Sequence, residues 1–266
     1  MKMTKLLPLV VAAAAGLAAC NDSMSSTQLI SDEELSRDIA ASAGDAIATS
    51  IATIAANEAD GGLSGASVQS SVMAANSQNL NFNRTRTCFD ASGAVMASCT
   101  PISSVRKIVT HVTIDGTRSG SHPARNGGTA TWEGDVHRVA DDTLVRNFTG
   151  STETSRTHTG VITANDTTHF SNGDIDRTAS EAAVDSIKGV TWNVPRSSNP
   201  FPVSGSIKRV VSVHIVVTKG SETQTRTFNR TITVSFPADA QGNVTLTIND
   251  KTCQLNVVTR AVTNCQ

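Results

Sequence analysis

Glu133-x-Asp135-x-His137 places three residues able to do chemistry at alternate positions. At strand period their side chains share one face, while Trp132, Gly134 and Val136 share the other. Two carboxylates and an imidazole so arranged could hold a divalent cation or form an acid–base set. The plainer expectation is a solvated strand face, with Trp132 and Val136 turned to the core. Asn172-Gly173-Asp174-Ile175-Asp176 has the spacing of a calcium-loop fragment but lacks the remaining ligands and the closing Glu, so it is expected to be a hairpin turn. His111 and His214 are expected on strand faces opposite the apolar residues. There is no Gly-x-Ser-x-Gly elbow (Gly62-Leu63-Ser64-Gly65-Ala66 comes nearest), no His-Glu-x-x-His and no Gly-x-Gly-x-x-Gly. No catalytic residue and no cofactor is therefore assigned, although a Ser–His–Asp set assembled from distant segments stays open.

The elements that must position these residues begin with a leader. Lys2 and Lys5 precede an apolar, Ala-rich run from Leu6 to Gly16, followed by Leu17-Ala18-Ala19-Cys20. The run is shorter than the roughly 20 residues needed to cross a bilayer. Leu17, Ala18, Ala19 and Cys20 fill without departure the lipobox of bacterial lipoproteins, which this leader resembles. The resemblance implies a diacylglycerol on the Cys20 sulfur, removal of residues 1–19 and acylation of the new amino terminus. With Asn21 after the cysteine, it further implies the outer membrane, facing the periplasm. Two or more acyl chains, at about 0.8 kcal/mol per buried methylene, hold a protein stably at a bilayer.

Four cysteines remain: Cys88, Cys99, Cys253 and Cys265. An even number in an exported chain reads as disulfides, with three possible connectivities. Cys88 and Cys99 flank the turn sequence Asp90-Ala91-Ser92-Gly93, and Cys253 and Cys265 flank Val258-Thr259-Arg260. Spacing thus favours two hairpin bridges, Cys88–Cys99 and Cys253–Cys265. A four-cysteine zinc site is disfavoured because no Cys-x-x-Cys pair occurs. Without residues 1–19 the chain keeps 20 basic and 23 acidic residues, net −3, and no electrostatic footprint for nucleic acid. Two Trp, seven Phe and no Tyr are too few for the aromatic girdles of a membrane barrel or for a carbohydrate-stacking platform.

Residues 20–30 read as a polar, lipidated tether. Ser31 with Asp32, Glu33 and Glu34 is a capping box at the start of an amphipathic helix over residues 31–60. Leu35, Ile39, Ala43, Ile47, Ile51 and Ile54 form its apolar stripe, and Gly61-Gly62 ends it. Residues 61–79 are a linker. Over 80–266 the period becomes two, with Val, Ile and Phe alternating with Thr, Ser, Asn and Arg. Strands are clearest at Ser104–Ile114, Ile207–Thr218, Gln224–Phe236 and Asn243–Ile248. Turns are expected at Asp115-Gly116, Asn126-Gly127, Asn172-Gly173 and Asn249-Asp250. The polar run Thr149–Thr159 is expected to be exposed or edge-lying. An echo of Pro101–Val109 in Pro202–Val211 fits either a duplication or similar strand composition.

The fold expected is mainly β: one large antiparallel, twisted or half-barrel-like sheet with an N-terminal α-helix packed on it. The function expected is that of a membrane-anchored bacterial envelope lipoprotein, non-enzymatic, with a structural or protein-binding role. Its partners would be the membrane, through the lipid on Cys20, and an envelope protein. The alternative is a periplasmic carrier of an apolar ligand such as a lipid, by analogy of architecture. A hydrolase or metal-binding protein using Glu133, Asp135 and His137 ranks third.

Overall fold

The structure is a computed structural model. It describes Leu29 and residues 77–123, 129–171, 175–195, 201–259 and 261–265. The expected anchor at Cys20, the expected helix over 31–60 and most of the expected linker lie outside the described residues.

Ten strands follow one another: β1 (Ser77–Phe89), β2 (Lys107–Pro123), β3 (Thr129–Thr149), β4 (Thr152–Ser171), β5 (Ile175–Asn193), β6 (Ser204–Lys219), β7 (Glu222–Ser235), β8 (Asn243–Ile248), β9 (Lys251–Asn256) and β10 (Val262–Thr263). They form one open antiparallel sheet in which spatial order equals chain order. β7 shows why. Thr223, Thr225, Thr227, Asn229, Thr231 and Thr233 alternate with Gln224, Arg226, Phe228, Arg230, Ile232 and Val234. β-branched residues suit the pleated backbone, and the strict alternation gives the sheet one polar and one largely apolar face. Ile232 and Val234 on the second, inner face are 1% and 0% exposed.

The inner face carries the core. Trp192, Ile187, Ile207, Leu246 and Leu255 form its largest cluster, under β5–β9. Complete burial of such side chains contributes about 1.5–3 kcal/mol each. Smaller clusters lie under β1–β3: Cys88, Val105, Ile108 and Leu144 in one, Val112, Ile114 and Val136 in the other.

Because the strands form a meander, connections alternate between two ends. The β2–β3, β4–β5 and β6–β7 connections fall at one end, the turn end, where Gly220-Ser221 turns between β6 and β7; the expected turns Asn126-Gly127 and Asn172-Gly173 lie outside the described residues. Longer loops, 90–106, 194–203, 236–242 and 257–261, lie at the other. Cys88–Cys99 (Cα–Cα 5.3 Å) and Cys253–Cys265 (4.1 Å) clip chain at this second, looped end. That is the pairing the spacing favours. Leu29 lies at the turn end, packed with Ile215 and Val217, and its N–H donates to Gln224 Oε1 at 3.1 Å.

Four expectations need correction. β1 starts at Ser77 rather than near Leu80, because Ser77–Asn79 pair through backbone with Thr117–Ser119 and need no apolar side chain for it. Asp115-Gly116 is not a turn but the middle of β2, opposite His137 and Val136. Gly116 serves close approach instead: its φ is +148°, and a Cβ there would meet Asn79 O at 2.0 Å. The run Thr149–Thr159 supplies most of a turn and the start of β4, an interior strand paired on both sides, with His158 wholly buried. Its polar side chains find partners in their neighbours, as Thr157 does in Thr191 (3.0 Å). Finally, Lys107 and Arg209, matched in the sequence echo, lie on opposite faces, the outer and the inner, so the echo is no structural repeat. Asn249-Asp250 does turn between β8 and β9, Asn249 with φ +51°.

Candidate functional site

Glu133, Asp135 and His137 do share the outer face of β3, but the sheet sends each to a different neighbour. His137 bonds Asp115, its direct partner on β2. Asp135 Oδ2 accepts from the Thr167 hydroxyl on β4 at 3.1 Å. Glu133 lies 4.0 Å from His169, which bonds Asp176 on β5 at 2.5 Å. Glu133 is 78% exposed and His137 54%. Among the described residues no group of three or more His, Cys, Asp or Glu is placed to hold a metal ion. Successive same-face positions on a strand lie about 7 Å apart, too far for one ion without convergence from other strands.

The outer face also shows a two-fold pattern. His111 and Asp115 on β2 stand antiparallel to His137 and Asp141 on β3, so that each histidine faces the other strand's aspartate. His111 Nδ1 lies 2.7 Å from Asp141 Oδ1. His214 bonds Thr227 at 3.0 Å. Both His111 and His214 are on the outer face, as expected. Of the calcium-loop fragment, Asn172, Gly173 and Asp174 lie outside the described residues.

The denser electrostatic arrangement is on the inner face, where the sequence reading placed only a core. Arg209 on β6 donates through Nη1 to both oxygens of Asp185 on β5 (2.8 and 2.9 Å) and through Nη2 to Glu181. Arg209 and Asp185 are 4% and 2% exposed. Arg138 on β3 forks onto Asp166 on β4, and Arg118 on β2 approaches the same carboxylate at 3.8 Å. Burial alone would lower the Arg138 pKa, but the bond to Asp166 outweighs it and holds the guanidinium charged. The result is a belt of six charges across β2–β6, three guanidinium groups and three carboxylates.

Two further groups flank the belt toward the looped end. His158 is fully buried, its Nδ1 2.8 Å from Asp142 Oδ2 and its ring edge-on to Trp192 at 5.7 Å. Arg146 and Arg156 both bind Glu153, and Arg146 also donates to Val105 O at 2.9 Å, fixing loop 90–106. Burial would raise the Glu153 pKa; the bonds from the two guanidinium groups overcome it and bring the carboxyl down to about 2.

A sequence signal for this belt exists. Arg84, Arg86, Arg118, Arg138, Arg209 and Arg226 fall in phase with the apolar residues of their strands, not with the Thr and Asn positions. Charge in phase with the core is the mark of a buried ion pair. Chemically, the belt is built to hold geometry: its central carboxylates are occupied by the planar forks of guanidinium groups. Among the described residues it also separates the apolar clusters of the inner face.

No family model matches this chain, and neither does any curated protein or solved structure.

Proposed function

We propose that this chain is a lipid-anchored protein of the bacterial cell envelope, acylated on Cys20 at the outer membrane and facing the periplasm. Its β domain acts there as a non-enzymatic binding or structural module for envelope proteins. The observation that carries the reading is the lipobox Leu17–Cys20 followed so soon by an anchored residue. Leu29, nine residues after Cys20, is seated on the sheet at its turn end. Nine residues reach about 30 Å at full extension, which keeps that end near the bilayer and turns the disulfide-clipped loops toward the periplasm. Loops on a stiff scaffold are where binding surfaces concentrate. The reading includes a half-barrel-like curvature of the sheet and a helix over 31–60 packed against it. It is supported by the deep burial of inner-face residues such as Val112, Val136 and Ile215 on an open sheet. The charged belt favours this module over an apolar-ligand carrier.

The test is cell fractionation of Cys20→Ala, with acyl labelling of the parent chain. The variant is expected in the soluble periplasmic fraction, unlabelled. Membrane association that persists without Cys20 would overturn the anchor. Mild extraction followed by mass spectrometry is expected to recover the parent chain without a stoichiometric lipid ligand.

A further inference from the structure

Charge on the inner face is unevenly distributed. The carboxylates Asp142, Glu153, Asp166, Glu181 and Asp185 all lie on β3, β4 and β5. Inner positions of β1 and β2 hold no acid; β1 contributes Arg84 and Arg86. Between Gln224 and Val234, the inner positions of β7 likewise hold no acid and contribute Arg226 and Arg230. The face is thus balanced in the middle and cationic on both flanks. On the β1 flank, Nη1 of Arg84 is buried and meets no acceptor among the described residues. A buried guanidinium N–H without an acceptor is costly, and a carboxylate is the acceptor that would also balance the charge.

The chain's own path points to its source. Leu29 is bonded to Gln224 on β7, at the residue pair next to Arg226. The chain must travel from there to Ser77 at the start of β1, on the far side of the sheet. Residues 31–60, on that path, carry seven acids and one base, Arg37. The acids gather at the two ends: Asp32, Glu33, Glu34 and Asp38 first, Glu58 and Asp60 last. β1 and β7 are six strand spacings apart, about 29 Å on a flat sheet. The 28 residues from Asp32 to Asp60 span about 42 Å as a helix, enough for a diagonal crossing.

We propose that residues 31–60 of this same chain dock across the inner face, their early carboxylates serving as counter-ions to Arg226 and Arg230 and their late ones to Arg84 and Arg86. This rests on the reading above that 31–60 packs on the sheet, and assigns the chemistry that orients it. The chain path from Leu29 to Ser77 sets the direction, and acids at both ends match the basic flanks.

A charge-swap cycle in the full chain, extracted in mild detergent, tests it. Asp32→Lys with Glu33→Lys, and Arg226→Glu with Arg230→Glu, are each expected to lower Tm by about 5 °C. Combined, the four substitutions are expected to restore most of the loss, and hydrogen exchange at 211–217 to return to the parent rate. Strictly additive losses would overturn the proposal. Ile47→Asp with Ile51→Asp separates the two levels: if it destabilises the chain while the charge cycle is additive, the packing stands and the counter-ion assignment falls. If neither changes stability or exchange, both fall.

Discussion

The two faces of this one sheet both carry cross-strand pairs with a carboxylate, His–Asp outside and Arg–Asp inside, in opposite surroundings. On the outer face His137 and Asp115 are each 54% exposed, and His111 and Asp141 are 47% and 70% exposed. On the inner face Arg209 and Asp185 are 5% and 2% exposed in their side chains. At 4 Å two unit charges attract by about 1 kcal/mol in water and about 4 kcal/mol near a protein surface of intermediate dielectric. Exposed pairs therefore contribute little net stability. Buried pairs contribute geometry, because neither member can be left alone without a large penalty. The comparison also explains why Glu133-x-Asp135-x-His137 attracts attention in the sequence and amounts to little in the fold. The same polar side chains spread over an exposed face find separate partners, whereas those turned inward are forced to share.

The contrast can be broken most sharply at Arg209. Arg209→Ala leaves Asp185 and Glu181 without their shared donor, and is expected to cost about 3–5 kcal/mol in denaturant unfolding. Loss below about 1 kcal/mol would mean that the belt is hydrated, and the two faces equivalent. Next in size, Cys88→Ser with Cys99→Ser frees the loop held by Arg146 and is expected to cost about 2–3 kcal/mol. Gly160→Ala, whose Cβ would meet Asp141 O at 2.3 Å, is expected to cost about 2 kcal/mol through displacement of β4 from β3. An unchanged unfolding midpoint would show that the strands can part there freely.

Acid titration sharpens the comparison at the looped end. Glu153 has its pKa lowered from 4.5 to about 2 by Arg146 and Arg156, so its contribution is fully present above about pH 4.5. It is lost as pH falls toward 2. Glu153→Gln is therefore expected to destabilise the chain at neutral pH and to flatten its stability profile between those two values. An unchanged slope in that window would remove Glu153 from the acid response. The smallest effect is expected on the outer face: His137→Ala should change stability by less than about 1 kcal/mol. A larger loss would show that the outer pairs are structural after all.

How much of this was legible in the sequence depends on the kind of residue. β8 runs from Asn243 to Ile248 as its alternation predicts; β6 starts and ends slightly outside its expected bounds, and β7 starts before Gln224 and ends at Ser235, just short of Phe236. Their valines and isoleucines give a strong period. β4 was misjudged because its first half, with Thr157 and His158, has hardly any apolar residue to show which face is buried. Asp115-Gly116 misled because a glycine inside a strand and a glycine at a turn look alike in one dimension. The belt was hidden for a related reason: Arg138 and Asp166 are 28 residues apart, and only sheet register makes them neighbours.

By itself the sequence determined the antiparallel β class and the two local disulfides. Each depends on residues close together in the chain, whose spacing bounds what they can reach. Only the tertiary structure decided that the outer-face carboxylates and histidines stay apart, and that arginines in phase with the core meet acids 24 to 28 residues away on the adjacent strand. Burial is a property of the assembled sheet. It is burial that makes Arg209 and Asp185 a fixed pair, while exposure leaves His137 and Asp115 a weak one.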